Sequence, residues 1–250
     1  MRDGARPAAV LRCRVVPLLA ALLLAVVVTA GPRPGSGQGG VDTALVVSAD
    51  VSNSVDEHRY RLQMEGIAAA LEDPGVIDAI TSGPQGGILF SMVVWADRPK
   101  VAIPWQRIAS RADALAAAQM VRTLPRHDGE FTCMARMLQF VSDKVVSQLP
   151  VAATRIIVDV SGDGSDNCNP QNPIDSVRKE LLATGRVTVN GLPILEGREA
   201  ATLAGWYRDH VMGGPGAFIL PADGFADFGR AIRQKFVVEV SFAGAGRRRG

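Results

Sequence analysis

The feature that most constrains this chain is a repeated change of texture: from Val41 onward, short apolar runs end abruptly in polar loops, and each loop leads into a stretch of helical period. Residues 43–49 are apolar enough to be buried on both faces and stop at Asp50; residues 154–160 run the same way into Ser161 and Gly162. Such runs, alternating with helices, are the mark of a mostly parallel sheet covered on both sides. The expected fold is therefore α/β, a three-layer α/β/α arrangement with a doubly wound sheet. Further strands are expected at 87–95, 100–103, 187–192 and 217–220. The turn at Asp97-Arg98-Pro99 makes the first two of these a hairpin, so one edge strand is antiparallel, and Pro104 is expected to end it. Helices are expected from Asp56 or Ser54 as cap to Pro74, and over 112–121, 134–146, 174–183, 200–211 and 225–237.

In a sheet of this kind ligands sit beyond the carboxyl ends of the strands, where the winding direction reverses. The polar loops emerge there. Asp50, Ser52 and Ser54 alternate along the first, so one carboxylate and two hydroxyls can turn toward a common point. All are oxygen donors, which suit a hard divalent cation, Mg²⁺ before Mn²⁺ or Ca²⁺, and the chain offers no His or Cys cluster for zinc. Asp and Ser after a strand are equally common as helix caps, so this string alone does not settle the matter.

With Thr132 in a later loop before a helix, and Asp163-Gly164 after the fourth strand, the Asp50-x-Ser52-x-Ser54 string resembles the metal-ion-dependent adhesion site of von Willebrand factor A domains. The resemblance spans about residues 41–240. Within it the chain is similar to an exported bacterial A-like family whose function is not known. The resemblance implies that Ser52, Ser54 and Thr132 donate oxygens directly to the cation, that Asp50 and Asp163 hold it chiefly through water, and that one position stays open for an Asp or Glu carboxylate of a partner protein. Where the family has glycines before its threonine this chain has Asp128-Gly129-Glu130-Phe131, which makes Asp128 a rival ligand. Asp166 rivals Asp163, and Asp159 reads as a group behind the ligands or a polar residue at the strand edge.

The remaining sequence frames that domain. Arg2, Arg6, Arg12 and Arg14 precede or enter an apolar run at 15–28 that contains Pro17 and is followed by Thr29, Ala30 and Gly31. It is shorter than the roughly 20 apolar residues that span a bilayer comfortably, so 1–30 is read as a cleaved export signal rather than an anchor. Residues 31–40 read as a flexible linker, 41–240 as the domain and 241–250 as a tail. Cys13 falls in the signal, which leaves Cys133 and Cys168 as an even pair for a disulfide in an oxidising, periplasmic or extracellular compartment. A net charge of +2 supplies no field that would recruit nucleic acid. His58, His127 and His210 stand apart, and no phosphate-binding loop or nucleophile elbow occurs. The expectation is a non-enzymatic, cation-dependent protein-binding module. The competing class is a metal-dependent hydrolase acting through Asp50 or a cation-bound water, for which none of the three strings supplies a His, Lys or Glu as base. A scaffold that binds partners without metal is the third.

Overall fold

The computed structural model describes Gly4, residues 39–168 and residues 173–241. The expected export signal apart from Gly4, most of the linker and all but the first residue of the tail lie outside them. Among the described residues five strands, β1 (Val41–Asp50), β2 (Ile88–Trp95), β3 (Lys100–Ile108), β4 (Ala153–Gly162) and β5 (Val187–Pro193), form one sheet in the order β3-β2-β1-β4-β5. β1 pairs in parallel with β2 and β4, and β4 with β5, while β3 runs antiparallel to β2 at the edge. The three-layer, mostly parallel sheet with one antiparallel edge is thus present.

Among the described residues seven α-helices cover it: α1 (Glu57–Glu72), α2 (Pro74–Thr81), α3 (Arg111–Arg122), α4 (Met134–Phe140), α5 (Ile174–Leu182), α6 (Ala200–Trp206) and α7 (Phe228–Val240). β1 is buried along its whole length and divides its side chains by parity. Leu45, Val47 and Ala49 pack toward a core with Ile67, Leu71, Phe228 and Phe236 from α1 and α7. Ala44 and Val46 face a second core with Met137, Leu138, Leu181 and Leu203 from α4, α5 and α6. Burial on both faces explains the unbroken apolar run. Among the described residues no helix is long and apolar enough to cross a membrane.

Three expectations need correction. Pro74 does not simply end a helix; it opens a second one, because Asp73 Oδ1 accepts the N–H groups of Gly75 and Val76 at 2.8 and 3.2 Å and a proline fits the first turn, where its missing N–H costs nothing. Pro104 does not end the edge strand, which continues to Ile108 across register shifts opposite Met92; an edge strand can turn a residue without an N–H toward solvent. Residues 217–220 form no strand; they meet β5 at an isolated bridge, Gly191 with Ile219, and through the Phe218 N–H donated to Asn190 Oδ1 at 3.0 Å.

Candidate metal centre

The crevice lies between β1 and β4, whose neighbouring connections wind to opposite sides of the sheet. Two hydroxyls lace the strand ends together: Ser48 Oγ donates to the Asp159 carbonyl at 3.1 Å, and Ser161 Oγ to the Ser48 carbonyl at 3.3 Å. Asp50 closes β1, fully buried, with Oδ1 accepting the Ser52 N–H at 2.8 Å. Its own carbonyl accepts from Nε2 of the buried Gln63 on α1 at 3.0 Å, which fixes the strand end against the helix. Asp56 then caps α1, accepting the Arg59 N–H at 2.8 Å, so Ser54 is left free of capping.

The structure brings all five expected residues to one place. Ser52 Oγ and Ser54 Oγ are 3.3 Å apart, Thr132 Oγ1 donates to Ser52 Oγ at 3.4 Å, and Ser54 Oγ donates to Asp163 Oδ1 at 2.7 Å. Asp50 joins them through the Ser52 backbone. Ser52, Ser54, Thr132 and Asp163 open onto a depression of about 530 Å³ whose wall adds Arg59, Asn167 and Glu199, with Asp50 buried behind them. Thr132 does not cap α4; its loop is held by Asn167, which accepts the Thr132 N–H on Oδ1 at 2.9 Å and donates its own N–H to the Thr132 carbonyl at 3.1 Å. Cys133 and Cys168 are joined by a disulfide with Cα atoms 4.9 Å apart, stapling the same two loops.

The rival ligands are placed elsewhere. Asp128 is exposed, ion-paired with Arg126, and faces a separate depression with Asp97 and Phe131. Asp166 Oδ1 accepts the Ala135 N–H at 3.3 Å and so caps α4 from the neighbouring loop. Asp159 points through the sheet to α7, where its carboxylate meets Lys235 at 3.3 Å.

The donor set fits a hard cation, on an observation independent of resemblance. Asp50 Oδ2 is buried with no hydrogen-bond partner. Burial, with the charge of Asp163 adding to it and against the Ser52 N–H, pushes the Asp50 carboxyl up to about 7, and burial also raises Asp163. Two desolvated carboxylates with an unbonded oxygen are short of positive charge, a deficit that a proton or a cation relieves. No cluster of three His, Cys, Asp or Glu side chains occurs among the described residues, as expected of a site built largely from hydroxyls. Glu196 and Glu199, which the three strings did not include, stand at the rim but are engaged. Glu196 accepts from Arg59 at 2.6 Å and from the Phe225 N–H at 3.0 Å, and Glu199 accepts the Ser165 N–H at 2.8 Å.

Gly162 sets the depth of the site. A Cβ there would stand 3.0 Å from Asp50 Oδ2 and 3.0 Å from the hydroxyl of Tyr207, which itself donates to the Gly162 carbonyl at 3.3 Å. Gly162→Ala is expected to cost about 1–3 kcal/mol in denaturant unfolding by forcing the buried carboxylate aside. Unchanged stability would show that Asp50 has room to move. Tyr207, Gln63 and Asn167 were not found from sequence, because each acts across the fold and none belongs to a local pattern.

No curated protein matches the chain in sequence. Proximal thread matrix protein 1 from the mussel byssus, in a structure with a zinc-occupied metal-ion-dependent adhesion site motif, superposes with a TM-score of 0.60 at 17% identity over 80% of this chain and 48% of that one. A von Willebrand factor type A protein from Catenulispora acidiphila gives 0.55 at 18% identity over 81% and 43%. The chain therefore spans less than half the length of either protein, and the likeness is one of fold. Its fold is thus like that of von Willebrand factor A domains, and the model of the family described as protein of unknown function (DUF1194) matches residues 40–243, so the chain belongs to that family.

Proposed function

We propose that this domain is an exported, non-enzymatic docking module that binds a protein partner through a divalent cation held by Asp50, Ser52, Ser54, Thr132 and Asp163. The observation that carries the reading is the convergence of three hydroxyls and the Asp163 carboxylate from three loops on one depression, with the buried, charge-starved Asp50 carboxylate behind them. A bound cation supplies a Lewis-acidic position for an Asp or Glu carboxylate of the partner. Ser52, Ser54 and Thr132 offer neutral oxygens, so they leave more of the cation's charge for that incoming group than further carboxylates would. Asp50 and Asp163 supply the counter-charge from behind and from the rim. The mussel relative carries zinc, whereas the all-oxygen set here favours Mg²⁺, with Mn²⁺ or Ca²⁺ as substitutes, over zinc. The Cys133–Cys168 disulfide supports an oxidising compartment outside the cytoplasm.

Calorimetric titration of the purified protein with MgCl₂ and MnCl₂ tests this. One site per chain is expected, lost in the Asp50→Ala, Ser52→Ala double variant, with recovery of a partner from periplasmic extract abolished by chelator. Equal Mg²⁺ binding by the double variant would sink the proposal.

A further inference from the structure

A second polar cluster lies on the side of the sheet that packs α7 and serves no part of the candidate metal centre. Asp159 stands mid-strand on β4, paired in register with Val47 on one side and Asn190 on the other. Lys235 and Glu239 come from successive turns of α7. Their side chains are 0–1% exposed, with Lys235 Nζ 3.3 Å from Asp159 Oδ1 and 2.9 Å from Glu239 Oε1. The ring of Phe218 covers the amine, its centroid 4.3 Å from Nζ. Arg155 clamps α7 over β4 by donating to the Glu239 and Ser241 carbonyls at 2.7 and 2.6 Å.

As an ion-pair network this cluster is poorly made. Buried charges are tolerated when hydrogen bonds satisfy them fully, yet both Asp159 oxygens, Lys235 Nζ and Glu239 Oε2 lack a hydrogen bond of acceptable geometry. The amine sits close to the carboxyl without adopting a hydrogen-bonding position. Proximity of a nucleophile, a carboxyl group and a proton acceptor in a dry site is instead the arrangement that condenses an amine with an acid.

We propose that Lys235 and Asp159 become joined by an isopeptide bond that the folded chain forms on itself, with Glu239 as the proton acceptor. The Lys235 ammonium passes one proton to the Glu239 carboxylate, and the neutral amine attacks Cγ of the Asp159 carboxylic acid. The C–O bond to the hydroxyl breaks as the N–C bond forms, and the hydroxyl leaves with a second proton of the amine as water. The products are a secondary amide, one water and a protonated Glu239; nothing is oxidised and no co-reactant is needed. Burial holds the Asp159 carboxyl well above the usual carboxylate range, which keeps it in the acid form required. Burial works against the Lys235 charge, but Asp159 and Glu239 outweigh it and hold the amine protonated, so the transfer to Glu239 is an essential step. Asn190 is the less suitable acceptor, because its amide is committed, donating to Glu239 at 2.8 Å and accepting the Phe218 N–H at 3.0 Å. The reaction replaces a buried ammonium–carboxylate pair by a neutral amide and a neutral acid, and it ties α7 to a central strand.

Peptide mapping of the purified full chain by tandem mass spectrometry tests it, after reduction and denaturation. The expected result is one branched peptide containing Asp159 and Lys235, lighter than the two parts by one water. Lys235→Met should give only linear peptides, and Glu239→Gln, with its fold verified by circular dichroism, should form the branch about 100-fold more slowly. Wild-type protein yielding only linear peptides would overturn the proposal. So would a branch from Lys235 to Asn190 with loss of ammonia, or a Glu239→Gln branch formed as fast as in the wild type.

Discussion

Chelator-treated protein is expected to become less stable as pH rises from 5 to 8, against the usual direction for a domain whose carboxylates are salt-bridged. In the unfolded chain Asp50 releases its proton near 3.8, whereas in the folded chain burial holds it to about 7. Between those values the native state binds more protons than the unfolded state, so stability is fully present below the window and is lost as pH climbs through it. About two units of that window fall between pH 5 and 7, which at 1.36 kcal/mol per unit amounts to about 3 kcal/mol. Asp163 and Asp159, both raised by burial, act in the same sense. The carboxylates lowered by arginine or backbone partners, Glu65, Glu72 and Asp227, change protonation below their ordinary values and contribute little above pH 5. Urea unfolding at pH 5, 6, 7 and 8 in chelator reads the slope, and Asp50→Asn should remove most of it. Saturating Mg²⁺ is expected to abolish the loss at pH 8, since the cation supplies the positive charge that the proton otherwise provides. A flat profile for the wild type in chelator would show that Asp50 is ionised and compensated without metal.

The same burial explains which parts of the molecule are legible in the sequence. β1 and β4 are read easily because strands covered on both faces are continuous apolar runs, and their polar ends at Asp50 and Ser161–Asp163 mark the crevice. Ser52 and Ser54 follow from alternation in a single loop. Thr132 and Asp163 depend on the order of strands, and the hydrogen bonds that join them to Ser52 and Ser54 span 80 and 109 residues. Gln63, Asn167 and Tyr207 leave no local trace, for their partners are backbone atoms of distant segments. The Lys235 and Glu239 pair is concealed in another way. A lysine and a glutamate four apart on a terminal helix read as a solvated ion pair, and only the packing of α7 across β4 puts them beside Asp159. Pro74 and Pro104 mislead for opposite reasons, the first being welcome in a helix's first turn and the second tolerated at a sheet edge.

Removing the disulfide separates what stabilises the fold from what shapes the site. Cys133 and Cys168 are 35 positions apart, and the chain-entropy account assigns about 4 kcal/mol to closing a loop of that length. Cys133→Ala with Cys168→Ala is therefore expected to lower the unfolding temperature by about 10 °C, at 2–4 °C per kcal/mol for a domain of this size. Cation affinity should fall much less. Thr132 remains tied to Asn167 through two hydrogen bonds, at 2.9 and 3.1 Å, and Asp166 still caps α4 through the Ala135 N–H. The folded arrangement of the two loops thus has supports that do not pass through sulfur, while the unfolded chain has no other staple between them. A loss of Mg²⁺ affinity below about tenfold, or 1.4 kcal/mol, alongside the full loss of stability would place the disulfide's action on the unfolded chain. If affinity collapses in parallel with stability, the two hydrogen bonds of Asn167 are insufficient and the bridge itself positions Thr132. Asn167→Ala in the disulfide-intact protein completes the comparison, because it releases the side-chain hydrogen bond to the Thr132 N–H while leaving the backbone one and the covalent link. Its expected signature is the converse, weaker Mg²⁺ binding at nearly unchanged unfolding temperature.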